Sequence, residues 1–119
     1  MNISLKGFIF LIAILHFYFL CLEMFFWTKP FGQKQFRMTK EYAASTAKLA
    51  ANQGLYNGFL AAGLIWSTIS SNSQFSKELG MFFLSCVVVA GIYGGYSVNR
   101  RIFFIQALPA LIVLFILLY

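Results

Sequence analysis

Long apolar stretches and shorter polar segments alternate along the chain. Four of the apolar stretches are within or just under the roughly 20 residues that an α-helix needs to cross the hydrocarbon core of a bilayer. Pro109 falls inside the fourth, where it would interrupt the helical hydrogen bonds and kink the helix. The pattern predicts four membrane-spanning helices over about 5–27, 49–67, 80–98 and 102–119, and the short second and third connections predict an antiparallel four-transmembrane-helix bundle.

The composition favours a membrane protein over a soluble one. Of the 119 residues, 61% are hydrophobic and 10% are charged, whereas a soluble domain carries roughly 25% charged residues. The length accommodates one domain, so residues 1–119 are expected to form a single all-α transmembrane domain. Cys21 and Cys86 lie inside apolar runs without a metal-binding or redox spacing, which is typical of small reduced side chains.

The first connection, 28–48, is long and basic. Its segment Lys29–Gly32 contains proline and glycine, which predicts a break in the helix. Thr39 stands at a position suited to a helix N-cap, and the helix that begins at Lys40 is expected to continue into the second span. Such a helix would have near 30 residues and a length of about 45 Å, so its first turns would extend beyond the membrane.

The basic residues predict the orientation. With four spans, the first and third connections lie on the same side, and they carry seven of the nine Lys and Arg residues. By the positive-inside rule this side is cytoplasmic, so the second helix extends into the cytoplasm and both termini lie outside. Clustered cations also predict contact with anionic lipid headgroups of the bilayer rather than with nucleic acid. The seven are Lys29, Lys34, Arg37, Lys40, Lys48, Arg100 and Arg101; the other two are Lys6 and Lys77.

The most polar part of any span is the block ANQGLYNG at 51–58. At about 100° per residue, its amides and its phenol fall within one arc of roughly 140°. Small residues occupy the adjacent side, and Leu55, Phe59 and Trp66 occupy a third, apolar side. Gly54 and Gly58 form a GxxxG pattern on the small side, which predicts close packing against another helix. Glycines on one side of the third span predict the same.

Polar side chains from all four spans are expected to lie at a similar depth. Glu23 lies about 6 Å inside the cytoplasmic boundary at 1.5 Å per residue, and the polar arc of the second span lies at about 5 to 12 Å. Tyr93 and Gln106 fall at a similar depth, and His16 lies nearer the middle. The sequence thus predicts a polar layer in the cytoplasmic half of the bundle, with a candidate ligand-binding site formed by His16, Glu23, Asn52, Gln53, Tyr56, Asn57, Tyr93 and Gln106.

Glu23 is the most informative member of this layer. An ionised carboxylate in hydrocarbon is costly, so it must face the bundle interior, find hydrogen-bond donors or take up a proton. The layer could be an inert polar contact between helices, or a pocket or proton-linked site; intramembrane acids are usually functional, which favours the second. His16 precedes Glu23 by about 10 Å along the helix, so the two cannot bind one metal without a third group. No metal site and no cofactor are predicted.

Residues along nearly the whole chain resemble a known family. His16, the segments LEMF at 22–25 and WTKP at 27–30, and the block ANQGLYNGFLAAG at 51–63 carry the resemblance. With AGIYG at 90–94 and QALPA at 106–110, they resemble the small four-span bacterial membrane proteins called domain of unknown function 1304. The resemblance implies a protein of the bacterial inner membrane with four helices, and it implies no activity.

The leading interpretation of function is the binding or movement of a small polar or amphiphilic molecule through the polar cavity, with Glu23 as a candidate for coupling to a proton. One alternative is a membrane-embedded enzyme on a lipid-like substrate, with Glu23 or His16 as acid or base. Another is a structural or partner-binding subunit without a ligand. Four spans are few for a transporter, so transport would require a homodimer.

Overall fold

The computed structural model describes residues 1–119, and every regular element in it is a helix. The prediction of an all-α protein is therefore confirmed. Five α-helices are present, and a π-helical turn leads directly into the last one. The elements are α1 (Ile3–Met24), α2 (Pro30–Gln35), α3 (Lys40–Ile69), α4 (Ser73–Ser97), the π-helical turn (Phe103–Ala107) and α5 (Leu108–Leu118).

Two of the helices, α1 and α4, are long and apolar enough to cross a membrane. The apolar helical stretch Phe103–Leu118 is shorter. Helix α3 is the longest, with 30 residues, but it carries charged and polar residues over its first turns. By length and composition, two helices could therefore span a membrane, and the four-span bundle stays a prediction.

Helix α3 begins at its predicted residue. The Thr39 hydroxyl oxygen accepts a hydrogen bond of 3.1 Å from the amide of Tyr42, which satisfies one of the amide groups that a first helical turn leaves without a partner. Glu41 adds an acidic side chain to this first turn, where it interacts favourably with the helix dipole. The N-cap at Thr39 and the unbroken helix from Lys40 are both confirmed.

The connection before α3 is more structured than its sequence predicts. Helix α1 ends at Met24 rather than near residue 27, and Pro30 does not merely break the chain but begins a new six-residue helix, α2. Proline is well suited to the first position of a helix because its missing N–H would have no helical partner there. The predicted break after the first span is thus present, and residues 30–35 of the connection form a helix that the sequence pattern did not predict.

The irregularity expected at Pro109 takes the form of a π-helical turn. Over Phe103–Ala107 the helix widens, and the amide of Leu108 donates to the carbonyl of Phe103, five residues back. A proline inside a helix removes one hydrogen bond and clashes with the carbonyl four residues earlier. A π turn is one of the few ways in which a helix accommodates such a local disruption.

The chain divides into two compact units, and one of them comprises Met1–Ala13 and Ala62–Tyr119. In this unit α4 approaches the π-helical turn so closely that a Cβ placed on Gly91 would lie 2.5 Å from the backbone nitrogen of Ala107. A Cβ on Gly94 would meet Ile102, and one on Gly95 would meet Phe103. The close packing predicted for the glycines of this span is confirmed.

Two buried serines join α3 to α4 in the same unit. The Ser67 hydroxyl donates to the carbonyl of Ser76 at 3.0 Å, and the Ser76 hydroxyl donates to the carbonyl of Ser67 at 2.5 Å. Between them, Asn72 caps α4 by accepting a 2.9 Å bond from the amide of Phe75. The helical hairpin is thus fastened by side-chain bonds on both sides of its turn.

The other unit is Ile14–Ala61, which contains the end of α1, all of α2 and most of α3. The buried positions of α3 in this unit follow one another at intervals of seven, four, three and four residues, and almost all of them are small. Such a seam allows the backbone of a second helix to come close. Its residues are Ala43, Ala50, Gly54, Asn57 and Ala61.

Candidate functional site

A carboxylate and an amide meet between α1 and α3 in the unit Ile14–Ala61. Glu23, in the last turn of α1, is only 3% exposed, and Asn57, in the small-residue seam of α3, is 8% exposed. The side-chain nitrogen Nδ2 of Asn57 donates to Oε1 of Glu23 at 2.5 Å. Gln53 makes a second side-chain hydrogen bond to the same carboxylate. Because Gln53 and Asn57 are four residues apart, they lie on one face of α3 and reach the same acceptor.

Both partners of the carboxylate are neutral. Asn57 and Gln53 donate through carboxamide groups, which stabilise a charged acceptor without cancelling its charge. The site therefore keeps any negative charge that Glu23 carries. A buried carboxylate with donors but without a countercharge is suited to receive a cation or a proton.

Gly54 makes this contact possible. A Cβ at Gly54 would lie 2.8 Å from Cγ of Met24, 3.0 Å from Cβ of Glu23 and 3.3 Å from the backbone oxygen of Leu20. The absence of a side chain thus allows α3 to approach the backbone of α1 at the level of Glu23. One turn further on, a Cβ at Gly58 would lie 2.6 Å from Cδ1 of Leu20. The close packing predicted from the GxxxG pattern is confirmed.

His16 lies on α1, seven residues before Glu23, and is completely buried. Its ring packs edge-to-face against Phe19 with 5.5 Å between the ring centroids. Both residues belong to the unit Ile14–Ala61.

The other predicted site residues have more varied surroundings. Asn52 is exposed, and so is Tyr56, whose ring packs against Phe59 with 5.9 Å between the centroids. Tyr93 and Gln106 belong to the unit that comprises Met1–Ala13 and Ala62–Tyr119. Tyr93 is exposed on α4, and Gln106 is half-buried in the π-helical turn. Hydrogen bonds therefore connect Glu23 with Asn57 and Gln53. That all eight predicted residues bind one ligand stays a prediction.

A shallow concavity of about 540 Å³ lies along α4, in the unit that comprises Met1–Ala13 and Ala62–Tyr119. Its lining is almost entirely apolar, and its one serine hydroxyl, on Ser85, already donates to the carbonyl of Met81 at 2.6 Å. It provides no charged group for catalysis or for metal binding. The lining residues are Phe82, Ser85, Cys86, Val89, Ala90 and Tyr93.

A hydrogen bond between Trp27 and Thr46 joins two residues that were not predicted to belong to the site. The indole nitrogen Nε1 of Trp27 donates to the hydroxyl of Thr46 at 2.9 Å, and the Trp27 ring lies 4.9 Å from that of Phe36. A tryptophan at the end of an apolar run is typical of a membrane interface, so Trp27 itself carries a signal. Its partner Thr46 is 19 residues away, and nothing in the sequence pattern identifies that pairing.

Comparison with known proteins gives a family and one similar relative. Residues 10–118 match the family described as "Protein of unknown function (DUF1304)". The uncharacterized protein YpaA of Lactococcus lactis subsp. lactis (strain IL1403) is 31% identical to this chain over 106 residues, which cover 87% of each protein. No solved structure matches the chain.

Proposed function

Because the chain belongs to the DUF1304 family of proteins of unknown function, we propose a function from its own residues. We propose that it is a multi-pass membrane protein that binds or moves a small polar or amphiphilic molecule at Glu23. The observation that carries this proposal is the buried carboxylate of Glu23, whose partners Asn57 and Gln53 are neutral amides. The preferred ligand has an apolar tail and a positively charged group, since that group supplies the charge that the amides lack.

The proposed location is the bacterial inner membrane, with four spans. Helices α1 and α4 have suitable length and composition, and only 10% of the residues are charged. The apolar side of α3 is exposed at Leu55, Phe59 and Trp66, as expected of a helix face in contact with lipid chains. The distribution of Lys and Arg favours a cytoplasmic connection between the first two spans and termini on the outside.

This topology predicts the result of cysteine labelling in intact cells. In a chain with Cys21 and Cys86 changed to serine, a cysteine added after Tyr119 is expected to react with a membrane-impermeant maleimide. A cysteine at Ser45, which is exposed near the start of α3, is the control and is expected to react only after lysis. The reverse pattern of labelling would contradict the proposed orientation.

Access to Glu23 is expected along the polar side of α3. Gln53 bonds the carboxylate yet is itself exposed, and Asn52 and Tyr56 are exposed beside it. In hydrocarbon, polar side chains on a helix surface need partners. A ligand headgroup that enters beside Gln53 would meet these partners before it reaches Glu23. Movement across the membrane would require a second copy of the chain, because four spans alone are few for a transporter.

Three amphiphiles with the same twelve-carbon tail test the proposal. Binding of radiolabelled dodecyltrimethylammonium, dodecyl maltoside and dodecyl phosphate is measured on the protein in discs of zwitterionic lipid. The cation is expected to bind saturably and about tenfold more tightly than either of the others. A tenfold ratio corresponds to the lower end of the free energies found for hydrogen bonds to charged groups. Absence of saturable binding for all three would contradict the proposed function. Equal binding of all three would retain the binding function and remove the preference for a cation.

A further inference from the structure

Residues 27–40, which we name the basic elbow, form an ordered bend between α1 and α3. Trp27 donates a hydrogen bond to Thr46, and its ring packs against that of Phe36 in a tilted arrangement. The side chain of Gln33 donates to the carbonyl of Thr28 at 3.1 Å. Gly32 is buried, and a Cβ there would overlap the backbone of Phe26. The bend therefore has a defined shape and is not a flexible loop.

The end of α2 within the basic elbow contains an arginine where a glycine is usual. Arg37 has a φ of 53°, the left-handed conformation that normally closes a helix with glycine or asparagine. The amide of Arg37 donates to the carbonyl of Lys34, and the amide of Met38 donates to that of Gln33. This is the hydrogen-bond pattern of a Schellman motif. A long charged side chain at a strained position indicates that the side chain has a role of its own.

Positive charge and aromatic rings cover the surface of the basic elbow. Its four cations are all exposed, and it contains no acidic residue. The rings of Phe31 and Phe36 are also exposed, and apolar side chains beside Lys and Arg on such a surface bury at the boundary between headgroups and acyl chains. The cations are Lys29, Lys34, Arg37 and Lys40.

We propose that the basic elbow is a docking surface for the headgroups of anionic phospholipids. Each Lys or Arg close to an anionic membrane surface increases binding about fivefold, and an arginine can bind a phosphate through two parallel hydrogen bonds. The ordered bend holds these cations together before lipid binds, so less conformational entropy is lost on binding. This inference rests on the proposed membrane location and is independent of any ligand at Glu23.

Fluorescence of Trp27 tests the proposal in reconstituted bilayers. The chain has two tryptophans, so Trp66→Phe leaves Trp27 as the reporter. Vesicles contain zwitterionic lipid with an equal mole fraction of brominated phosphatidylglycerol or brominated phosphatidylcholine, since bromine quenches indole at short range. Brominated phosphatidylglycerol is expected to quench Trp27 at least about twofold more strongly than brominated phosphatidylcholine, because the basic elbow concentrates anionic lipid around Trp27.

Arg37→Gly provides the matching variant. Glycine adopts the left-handed conformation without strain, so the turn is retained while the charge is lost, and the preference for phosphatidylglycerol is expected to fall. Lys34→Gln, at an exposed position in α2, is expected to act in the same direction, whereas Lys77→Gln on α4 is the control and is expected to leave the preference unchanged.

Two results would overturn the inference in distinguishable ways. Equal quenching by both brominated lipids would show that the basic elbow has no preference for anionic lipid, and the proposed membrane location would stand. Absence of quenching by either lipid would contradict the membrane location as well.

Discussion

Gly54→Leu is expected to separate α1 from α3 and to cause a large loss of stability. A Cβ at this position already lies 3.0 Å from Cβ of Glu23 and 3.3 Å from the backbone oxygen of Leu20, and backbone cannot rotate away as a side chain can. Overpacking by a single small group costs about 1–3 kcal/mol, and leucine adds several more atoms. The measurement is the melting temperature of the purified protein in detergent, followed by circular dichroism.

Two neighbouring substitutions provide the controls. Gly58→Ala introduces a Cβ that meets only the side chain of Leu20, most closely its terminal Cδ1. Because the end of this side chain can move aside, the substitution is expected to be milder than Gly54→Ala. Leu55→Ala lies on the exposed side of α3, where substitutions usually change stability by less than about 0.5 kcal/mol. Equal melting temperatures for Gly54→Leu and Leu55→Ala would show that the small-residue seam does not pack as described.

Glu23→Gln and Glu23→Leu are expected to separate the structural from the functional contribution of the carboxylate. The glutamine side chain retains an oxygen that can accept the bond from Asn57, so Glu23→Gln is expected to fold normally. It removes the negative charge, however, and tight binding of dodecyltrimethylammonium is expected to be lost. Glu23→Leu leaves the buried amide of Asn57 without an acceptor, which costs about 1–3 kcal/mol, so it is expected to lower the melting temperature as well.

The contrast between these two variants decides the role of Glu23. If the contact between Glu23 and Asn57 only holds the helices together, the Glu23→Gln protein would fold and would bind the cation as before. It would also restore the phenotype of a strain that lacks the gene. That result would contradict a functional role for the charge. A matched Asn57→Asp variant, which brings a second acid to the same bond, is expected to destabilise the contact by repulsion between like charges.

The start of α3, its packing side and the presence of amide donors around Glu23 follow from regularities that the sequence displays directly. Thr39 is a suitable N-cap, and the small residues of α3 recur with a helical period, so the start of α3 and its packing side could be predicted. An acid in an apolar helix must find donors, and an amide-rich block was the nearest source. The bond between Glu23 and Asn57 agrees with that expectation.

The finer geometry was not predictable because a helical period specifies an angle but not a partner. Asn52 and Asn57 lie about 140° apart on α3, so both belong to the predicted polar arc although only Asn57 is buried. Only the packing of Gly54 on α1 selects the side of the arc that meets Glu23. Similarly, Pro30 is compatible with a break or with the first turn of a helix. In the structure Pro30 begins a helix, and Gly32 of that helix packs against the backbone of Phe26. This contact cannot be read from the sequence.

The paired serines at the turn between α3 and α4 also bear on the order in which the chain folds. Ser67 and Ser76 are nine residues apart, so little chain entropy is lost when they meet. Contacts between residues so close in sequence form early, because they do not wait for distant segments. The hairpin can therefore assemble as soon as both of its helices have been synthesised. It would then provide a surface on which the C-terminal helix can condense.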